Sequence, residues 1–383
     1  MTEFKNELKI IAETKTLSNM LSNIIGIVEK VNTKPILNNV KLEAGVDGLT
    51  LNATDLDISI KAELPVQLVT PGIVTVNAKL FSDIVKKISA KEISLETAPE
   101  REQLIIKAGN SEFTLSTISP QEFPNLEYFE YRNAAQISVK ELCELIESTA
   151  FSMSNEETRY NLNGVYLHQN ENGYLAVAAT DCHRLAFACS KQECSSEEII
   201  GVIIPRKATD ELIKLLKNEK HESEKVLVEM NQRLIRFKLP KITLTSKIIE
   251  GNFPSYSSFI PQSNNYHLII DAKILAEAID RVSTISSDKL KAVKLNINAL
   301  GVEVWSFGQF KDVAKELIEF REPWSYSGND IVVGFNPKYL LEVLKLCYGS
   351  LCNISLLDCF SPVLIQKLDD QENYKFVIMP IKV

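Results

Sequence analysis

The stretch Ala179-Thr180-Asp181-Cys182-His183-Arg184-Leu185-Ala186 closes an alternating strand and carries a dense cluster of polar side chains. A related stretch, Ala53-Thr54-Asp55-Leu56-Asp57-Ile58, occurs earlier in the chain. Each stretch follows two runs of period-two alternation that meet at a turn dipeptide, Asp47-Gly48 in the first copy and Asn172-Gly173 in the second. Such dipeptides predict a β-hairpin with a type I′ turn, in which both central residues take positive φ. The sequence therefore indicates an internal repeat.

A helix pattern precedes each hairpin. Apolar residues at three- and four-residue steps predict amphipathic helices over residues 15–30, from Ser138 and from Asp271. The equivalent leucines of these helices lie 125 and 133 residues apart and are Leu17, Leu142 and Leu275. A hairpin pattern also follows the last of these helices, so we expect three copies of the repeat.

A second helix follows each hairpin and opens with a polar residue or a proline before a cation. Proline is tolerated there because the first helical N–H groups have no intrahelical partner. The cations Lys79, Lys207 and Lys338 are spaced by 128 and 131 residues. Strands that are joined by hairpins and interleaved with helices predict antiparallel sheets with helices on one face, which is an α+β fold.

Three repeats predict three domains. We expect the N-terminal domain to span residues 1–132, the central domain 133–263 and the C-terminal domain 264–383. The first boundary follows residues 129–132, and the second lies in the polar stretch 261–265, which has the composition of a linker. A chain of 383 residues is long enough for several hydrophobic cores.

The formal net charge of −8, from 42 basic and 50 acidic residues, argues by itself against a nucleic-acid partner. The distribution of charge, in contrast, favours a nucleic-acid partner. Counted over residues 77–91, 205–220 and 336–348, the second helices carry +6, which leaves −14 for the remainder. Equivalent cationic helices on an acidic protein indicate one face suited to lie near phosphates. The alternative is a solvated helix face, and the acidic first helix of the central repeat weakens the pattern.

Motifs for cofactor and metal chemistry are missing from the sequence. It has no phosphate-binding loop and no dinucleotide fingerprint, and its four histidines lack metal-ligand spacing. Seven cysteines without a paired C-x-x-C arrangement argue against a disulfide frame or a structural zinc and favour a reducing compartment. The N-terminus has no leader pattern, and no apolar run reaches the roughly 18 residues of a membrane span. We therefore expect a cytoplasmic protein that needs no cofactor and no metal.

Asp181, Cys182 and His183 bring together an acid, a thiol and a base. Adjacent side chains on a strand point to opposite faces, so the thiol and the imidazole do not easily meet. An enzyme, such as a hydrolase that uses Asp181, His183 and Arg184, is nevertheless an alternative class. The other interpretation is that Thr180 and Asp181 cap a turn while His183 and Arg184 line a groove.

Five ordered motifs together resemble one protein family. They are ATDCHRLA at 179–186, IPRKATDELIKLL at 204–216, TSKIIEGNFPSYSSFIP at 245–261, VGFNPKYLLEVL at 333–344 and VIMPIKV at 377–383. With the threefold repeat they resemble the bacterial DNA polymerase III beta subunits, the sliding clamps. The resemblance covers the full chain.

The resemblance implies a DNA clamp fold with three repeated domains, in which helices line the inside of a ring and antiparallel sheets form the outside. It further implies a head-to-tail homodimer around duplex DNA, without catalytic activity, that tethers the DNA polymerase III catalytic subunit, the clamp loader, other polymerases and repair proteins. Diffuse lysine charge suits a ring that must slide without sequence-specific contacts. A DNA-binding scaffold that does not encircle DNA is a third hypothesis.

The family's partner-binding pocket takes a short hydrophobic peptide between the central and C-terminal domains. An apolar cleft with a few polar anchors is a usual design for such a site. Carried over position by position, the implied pocket residues are Leu162, Thr180, His183, Arg184, Leu185, Pro254, Phe259, Asn336, Tyr339, Phe360, Val377, Met379 and Pro380. Three residues depart from the family pattern, since Cys182 replaces a glycine, Ser258 a common arginine and Pro362 a serine.

The resemblance also implies two further sets of residues. At the dimer interface, Phe113 and Leu115 are expected to meet the partner subunit's Thr284 and the partner subunit's Ile285 through an edge strand. The residues implied to face DNA are Lys79, Lys86, Arg159, Arg206 and Lys207.

Overall fold

The computed structural model describes residues 7–28, 34–98, 100, 102–124, 133–193, 199, 201–218, 225–285, 292–308 and 312–382. The chain divides into two compact units. The first comprises Met1–Leu142, Ser195–Ile200 and Lys207–Ile248, and the second comprises Cys143–Cys194, Gly201–Arg206 and Ile249–Val383. The predicted boundary at residues 129–132 lies outside the described residues.

The described part of the chain contains six α-helices, at the places where the periodicity predicts helices. They are α1 (Thr14–Ile24), α2 (Ala78–Lys87), α3 (Val139–Ala150), α4 (Arg206–Asn218), α5 (Ala272–Ser283) and α6 (Pro337–Leu346). The first is shorter than predicted, because a glycine with low helix propensity follows its C-terminal cap at position 26. An added Cβ there would lie 2.1 Å from a carboxylate oxygen of Glu211. None of the helices in the described part of the chain is long and apolar enough to cross a membrane.

The polar residues before three of these helices cap them. Asn77 accepts a hydrogen bond from the backbone N–H of Leu80 at 2.9 Å, and Asn336 accepts one from Lys338 at 3.0 Å. Asp271 accepts two, from the backbone at positions 273 and 274. These bonds satisfy N–H groups that have no partner inside the helix, which confirms the predicted helix starts.

Strands fill most of the remaining described chain. They are β1 (Lys9–Glu13), β2 (Asn39–Gly45), β3 (Gly48–Thr54), β4 (Ile58–Leu64), β5 (Gln67–Thr70), β6 (Gly72–Asn77), β7 (Glu92–Ala98), β8 (Gln103–Ala108), β9 (Ser111–Ile118), β10 (Asn133–Ser138), β11 (Gly164–Gln169), β12 (Tyr174–Thr180), β13 (Arg184–Glu193), β14 (Val202–Pro205), β15 (Lys225–Met230), β16 (Leu234–Lys238), β17 (Ile242–Lys247), β18 (Tyr266–Asp271), β19 (Val293–Asn298), β20 (Gly301–Phe307), β21 (Val313–Glu319), β22 (Ser325–Ser327), β23 (Ile331–Phe335), β24 (Leu351–Leu356), β25 (Val363–Lys367) and β26 (Tyr374–Ile378).

The described residues of the first unit form one sheet of 13 strands in the order β10-β15-β16-β17-β4-β3-β2-β6-β9-β8-β7-β1-β5. Its pairings are antiparallel, as the hairpin patterns predict. Strands of the central repeat join those of the first repeat where β17 pairs with β4, with Ile242 opposite Ala62 and Ser246 opposite Ile58. The two repeats therefore share one hydrogen-bonded sheet.

The second unit contains a sheet of nine strands and a sheet of four. The larger has the order β14-β11-β12-β13-β26-β25-β24-β18-β22, and the smaller has the order β21-β20-β19-β23. Here the other strands of the central repeat join the last repeat where β13 pairs with β26, with Arg184 opposite Ile378 and Leu185 opposite Val377. This pairing places the motif of residues 179–186 beside the C-terminal motif.

The first helix of each repeat buries the leucine that set the register of the repeat. Leu17, Leu142 and Leu275 each have no exposed surface. Burying a leucine side chain stabilises a fold by about 1.5–3 kcal/mol, so these positions define the apolar face of each helix. The predicted helix register is confirmed.

The hairpin turns differ from the predicted type. Gly48 and Gly173 have φ of +119° and +84°, but Asp47 and Asn172 are not among the described residues with positive φ. A type I′ turn requires positive φ at both central residues, so that prediction was wrong. In the second copy the backbone N–H of Gly173 donates to the carbonyl of Asn170 at 3.0 Å, and the left-handed glycine completes a longer loop.

Candidate functional site

A hydrogen-bonded turn joins β12 to β13. The Thr180 hydroxyl donates to the Arg184 carbonyl at 2.6 Å and accepts from the backbone N–H of Cys182 at 3.1 Å. The Asp181 Oδ1 atom accepts from the backbone N–H groups of His183 at 2.9 Å and Arg184 at 3.0 Å. The threonine and the aspartate therefore cap a turn, as the structural interpretation of the sequence expects.

The first repeat contains the same turn between β3 and β4. Thr54 donates its hydroxyl hydrogen to the Ile58 carbonyl at 2.8 Å and accepts from the N–H of Leu56 at 3.0 Å. Asp55 Oδ1 accepts from the N–H groups of Asp57 at 2.9 Å and Ile58 at 2.7 Å. The two related stretches of sequence therefore form the same hydrogen-bonded turn.

The residue after the aspartate takes a left-handed backbone in both turns. Cys182 has φ of +72°, and Leu56 has φ of +81°. A left-handed conformation costs a residue with a Cβ atom about 1–2 kcal/mol, a cost that glycine does not carry. The departure from glycine at position 182 therefore leaves a strained residue at an exposed turn.

We predict that Cys182→Gly raises the free energy of unfolding by about 1 kcal/mol, because it removes the steric cost of positive φ. Urea denaturation followed by circular dichroism measures the change. Cys182→Ala is the matched control, since it removes the thiol, keeps the Cβ atom and should leave the midpoint unchanged. A glycine variant no more stable than the alanine variant would contradict the assignment of strain.

The Arg184 side chain is buried and fully engaged. Its Nε donates to Asp181 at 3.0 Å, Nη1 donates to Glu342, and Nη2 donates to the Phe151 carbonyl at 2.5 Å. Its guanidinium carbon lies 5.1 Å from the centre of the Phe151 ring and 4.2 Å from that of Tyr339. Only 7% of the side chain is exposed. This arginine therefore ties α6 to the turn and is not a free polar anchor.

We predict that Arg184→Ala lowers the free energy of unfolding by about 3 kcal/mol, because it leaves Asp181 and Glu342 without their shared cation. The matched control is Arg159→Ala, since Arg159 is exposed and forms a surface ion pair with Glu156 at 3.2 Å. That change should cost less than about 1 kcal/mol. Urea denaturation compares the two variants, and equal losses would contradict a structural role for Arg184.

An apolar cluster lies next to this turn, across the β13–β26–β25 ladder. Leu185 pairs with Val377, and Val377 pairs with Leu364. These three residues and Ile260 form one buried cluster, against which Tyr256 packs. The sequence prediction included Leu185 and Val377 but missed Ile260 and Leu364. The apolar run Val363-Leu364-Ile365 at the start of β25 is the signal that could have found Leu364.

Three predicted pocket residues expose large apolar side chains close to this cluster. Phe259 is 60% exposed, Phe360 is 67% exposed and Met379 is 40% exposed. Each lies within four residues of a cluster member along the chain. The backbone N–H of Met379 donates to the His183 carbonyl at 2.9 Å, which holds the chain after β26 against the turn. Exposed apolar groups beside an apolar floor can bind apolar side chains of a partner.

The remaining predicted pocket residues have mixed environments. Leu162 is buried at 3% exposure, whereas His183 is exposed. Asn336 caps α6 through its side chain and is half-buried. Three more are also half-buried, namely Thr180, Pro254 and Pro380. All 13 predicted pocket residues belong to the second unit.

The predicted DNA-facing residues fall into two groups. Lys79 and Lys86 are exposed on α2, and Arg159 is exposed too. Arg206 instead donates to the backbone carbonyls of residues 153 and 154 at 3.0 Å each. Lys207 donates to Asp55 Oδ2 at 2.5 Å in the first unit. The last two cations therefore have structural partners.

The predicted interface residues lie at or beside open sheet edges. Phe113 is 36% exposed on β9, and Leu115 is buried at 6%. β9 pairs with β8 along its length but with β6 only through residues 117 and 118, so most of its other edge is unpaired among the described strands. In the second unit β21 pairs with β20 alone within the described chain. Thr284 is exposed and Ile285 half-buried, directly after α5.

The chemistry available at this site does not favour catalysis. Asp181 and Arg184, which the enzyme alternative requires for a substrate, are bonded to each other at 3.0 Å. No group of three or more histidine, cysteine, aspartate or glutamate side chains in the described ranges could hold a metal ion. The arrangement instead offers an apolar surface framed by a rigid polar turn.

Comparison with known proteins identifies the same family along the whole chain. Three family models, for the N-terminal, central and C-terminal domains of the DNA polymerase III beta subunit, match residues 8–127, 136–255 and 257–382. The beta sliding clamp of Rickettsia felis is 37% identical over 382 residues, covering 98% of this chain and 100% of that protein. The beta sliding clamp of Caulobacter vibrioides is 35% identical over 380 residues, with coverage of 98% and 100%.

Solved structures of the same kind are similar in fold. The crystal structure of a beta sliding clamp from C. crescentus matches with a TM-score of 0.93 at 34% identity, covering 99% of this chain and 100% of that one. A sliding clamp from Bartonella birtlesii, solved bound to griselimycin, matches with a TM-score of 0.92 at 33% identity and coverage of 98% and 100%.

Proposed function

Because the chain belongs to the DNA polymerase III beta subunit family and acts as a DNA sliding clamp, we propose how it closes and what it tethers. In this proposal the chain forms a head-to-tail homodimer around duplex DNA. It holds the DNA polymerase III catalytic subunit, the clamp loader, other polymerases and repair proteins through one peptide pocket per subunit. It is a non-catalytic processivity factor and works in the cytoplasm.

The observation that carries the pocket is the exposure of Phe259, Phe360 and Met379 beside a buried apolar cluster. Large apolar side chains grouped at the surface mark a site that a partner can cover. The hydrogen-bonded turn and the Arg184 network hold this surface rigid before the partner arrives, which reduces the entropy lost on binding. A short apolar peptide is the partner that such a surface fits.

The open edges of β9 and β21 support a head-to-tail dimer. An unpaired strand edge presents N–H and C=O groups that another chain can pair with. Among the described strands, most of one edge of β9 is open in the first unit, and one edge of β21 is open in the second. A contact between two different surfaces of identical chains closes into a ring when the rotation allows it. We propose that Phe113 and Leu115 on β9 contribute to this contact with the partner subunit's Thr284 and the partner subunit's Ile285.

The cationic second helices support an inner surface that faces DNA. Lys79 and Lys86 are exposed on α2, so their charge is available to phosphates. Arg206 and Lys207 are occupied by carbonyl and carboxylate oxygens, and we propose that they act mainly through the summed field of the surface. Such diffuse attraction without base contacts suits a protein that slides along its template.

We predict that Met379→Ala and Phe259→Ala each weaken peptide binding about ten-fold, since truncating a central apolar anchor costs more than 1 kcal/mol. Fluorescence anisotropy with a labelled C-terminal peptide of the DNA polymerase III catalytic subunit measures the affinity. Val46→Ala is the control, because Val46 is 94% exposed in the first unit and should not matter. Unchanged affinity in both pocket variants would rule out this surface as the peptide site.

A ring and an open scaffold differ in how they leave DNA. We predict that the loaded protein stays on a nicked circular plasmid at raised salt and leaves once the plasmid is linearised, because only topology then holds it. Gel filtration of labelled protein on both DNA forms measures retention. Linear DNA with both ends blocked by bound protein is the control and should retain the ring. Equal loss from all three forms would support the scaffold instead.

A further inference from the structure

The first and central repeats present equivalent rows of side chains on the same sheet face. In the first unit, Asn52 pairs with both Lys41 and Lys61. In the second unit, the equivalent row consists of Ala178 between Tyr166 and Phe187. Two lysines in one repeat thus correspond to two aromatic rings in the other.

The neighbouring row changes in the same way. Thr50 pairs with Glu43 and Glu63 in the first unit, whereas Ala176 pairs with His168 and Cys189 in the second. A cavity of about 330 Å³ lies over the polar rows of the first unit. Since both repeats build the same strands and the same turn, the aromatic rows of the central repeat are not required by the fold.

The aromatic rows pack against the segment that follows β17. The rings of Tyr166 and Phe253 stack with centres 4.9 Å apart and planes 6° apart. The rings of Phe187 and Tyr256 stack at 5.5 Å, and Tyr166 also stacks on His168 at 4.5 Å. Phe253 and Tyr256 also pack against the small buried side chains of the sheet, which include Ala176 and Ala178. This segment is therefore fixed by aromatic contacts.

A hydrogen bond between His168 and Tyr256 accompanies this aromatic packing. His168 Nε2 lies 2.9 Å from the Tyr256 hydroxyl oxygen, and the imidazole is 8% exposed. Burial lowers the pKa of His168 to about 4, so the ring is neutral near pH 7. Burial also raises the pKa of Tyr256, which keeps the phenol protonated. A neutral imidazole and a phenol can therefore form one donor–acceptor pair.

Tyr256 connects this pair to the proposed pocket. Its ring packs against the buried cluster of Leu185, Ile260, Leu364 and Val377 as well as against the aromatic rows. Residues 256–259 form one short 3₁₀ turn that ends at the exposed Phe259. A shift of the tyrosine ring would therefore move both the apolar cluster and Phe259.

We propose that His168 is a positioning residue of the peptide pocket, because its hydrogen bond holds Tyr256 against the apolar cluster and so orients the turn that carries Phe259. The inference rests on the proposed function of this surface.

The test is a double-mutant cycle on peptide affinity. His168→Leu and Tyr256→Phe should each raise the Kd of the labelled polymerase peptide about five-fold, the effect of one lost hydrogen bond. The double variant should lose no more than either single variant, because both remove the same bond. His168→Gln can still bond the hydroxyl and should recover most of the affinity. Glu43→Leu, the equivalent position of the first repeat, should leave the Kd unchanged.

The outcomes separate this inference from the proposed function. Failure of the unmodified protein to bind the peptide would overturn the pocket itself. If the unmodified protein binds the peptide and both Tyr256→Phe and His168→Leu bind it with the same Kd, only the positioning role is overturned. Losses that multiply to about 25-fold in the double variant would also overturn it, because two independent effects would then be acting. Tyr256→Phe keeps the size of the ring, and circular dichroism checks that each variant is folded.

Discussion

Backbone hydrogen bonding between the edge strands of neighbouring repeats is the interaction on which the structure depends. A repeat that ends in an open strand exposes N–H and C=O groups, and the chain satisfies them by pairing β17 with β4 and β13 with β26. The central repeat thereby gives part of its strands to each unit. The proposed dimer uses two of the sheet edges that stay open among the described strands, those of β9 and β21.

The same pairing creates the proposed pocket. It sets Leu185 opposite Val377 and brings the capped turn of the central repeat to the C-terminal strand, so that the apolar cluster has members from both repeats. The polar side chains around the cluster form hydrogen bonds within the protein. Arg184 bonds two carboxylates and a carbonyl oxygen, and Asp181 bonds two backbone N–H groups. Binding is left to the apolar groups, which suits a site that receives peptides from several proteins.

Local patterns predicted the repeat, the six helices of the described chain, the capped starts of three of them and the hairpins, because helical periodicity and capping depend on neighbours in sequence. They could not predict that strands of different repeats would merge, since this pairing joins residues more than a hundred positions apart. The type I′ prediction was wrong because each hairpin turn takes positive φ at its glycine and not at the residue before it. Within the site, the family resemblance implied Leu185 and Val377 but not Ile260. It also could not show that Arg184 is buried, because its partners come from distant elements.

The charge of the chain is unevenly distributed along the sequence. The second helices carry +6 and the remainder of the chain −14, a division that the net charge of −8 conceals. We propose that the clamp closes as a ring of two chains, and negative-stain electron microscopy of the purified protein can show whether it does. We expect two-chain particles with an open centre wide enough for duplex DNA. Particles without a central hole, at every protein concentration examined, would contradict it.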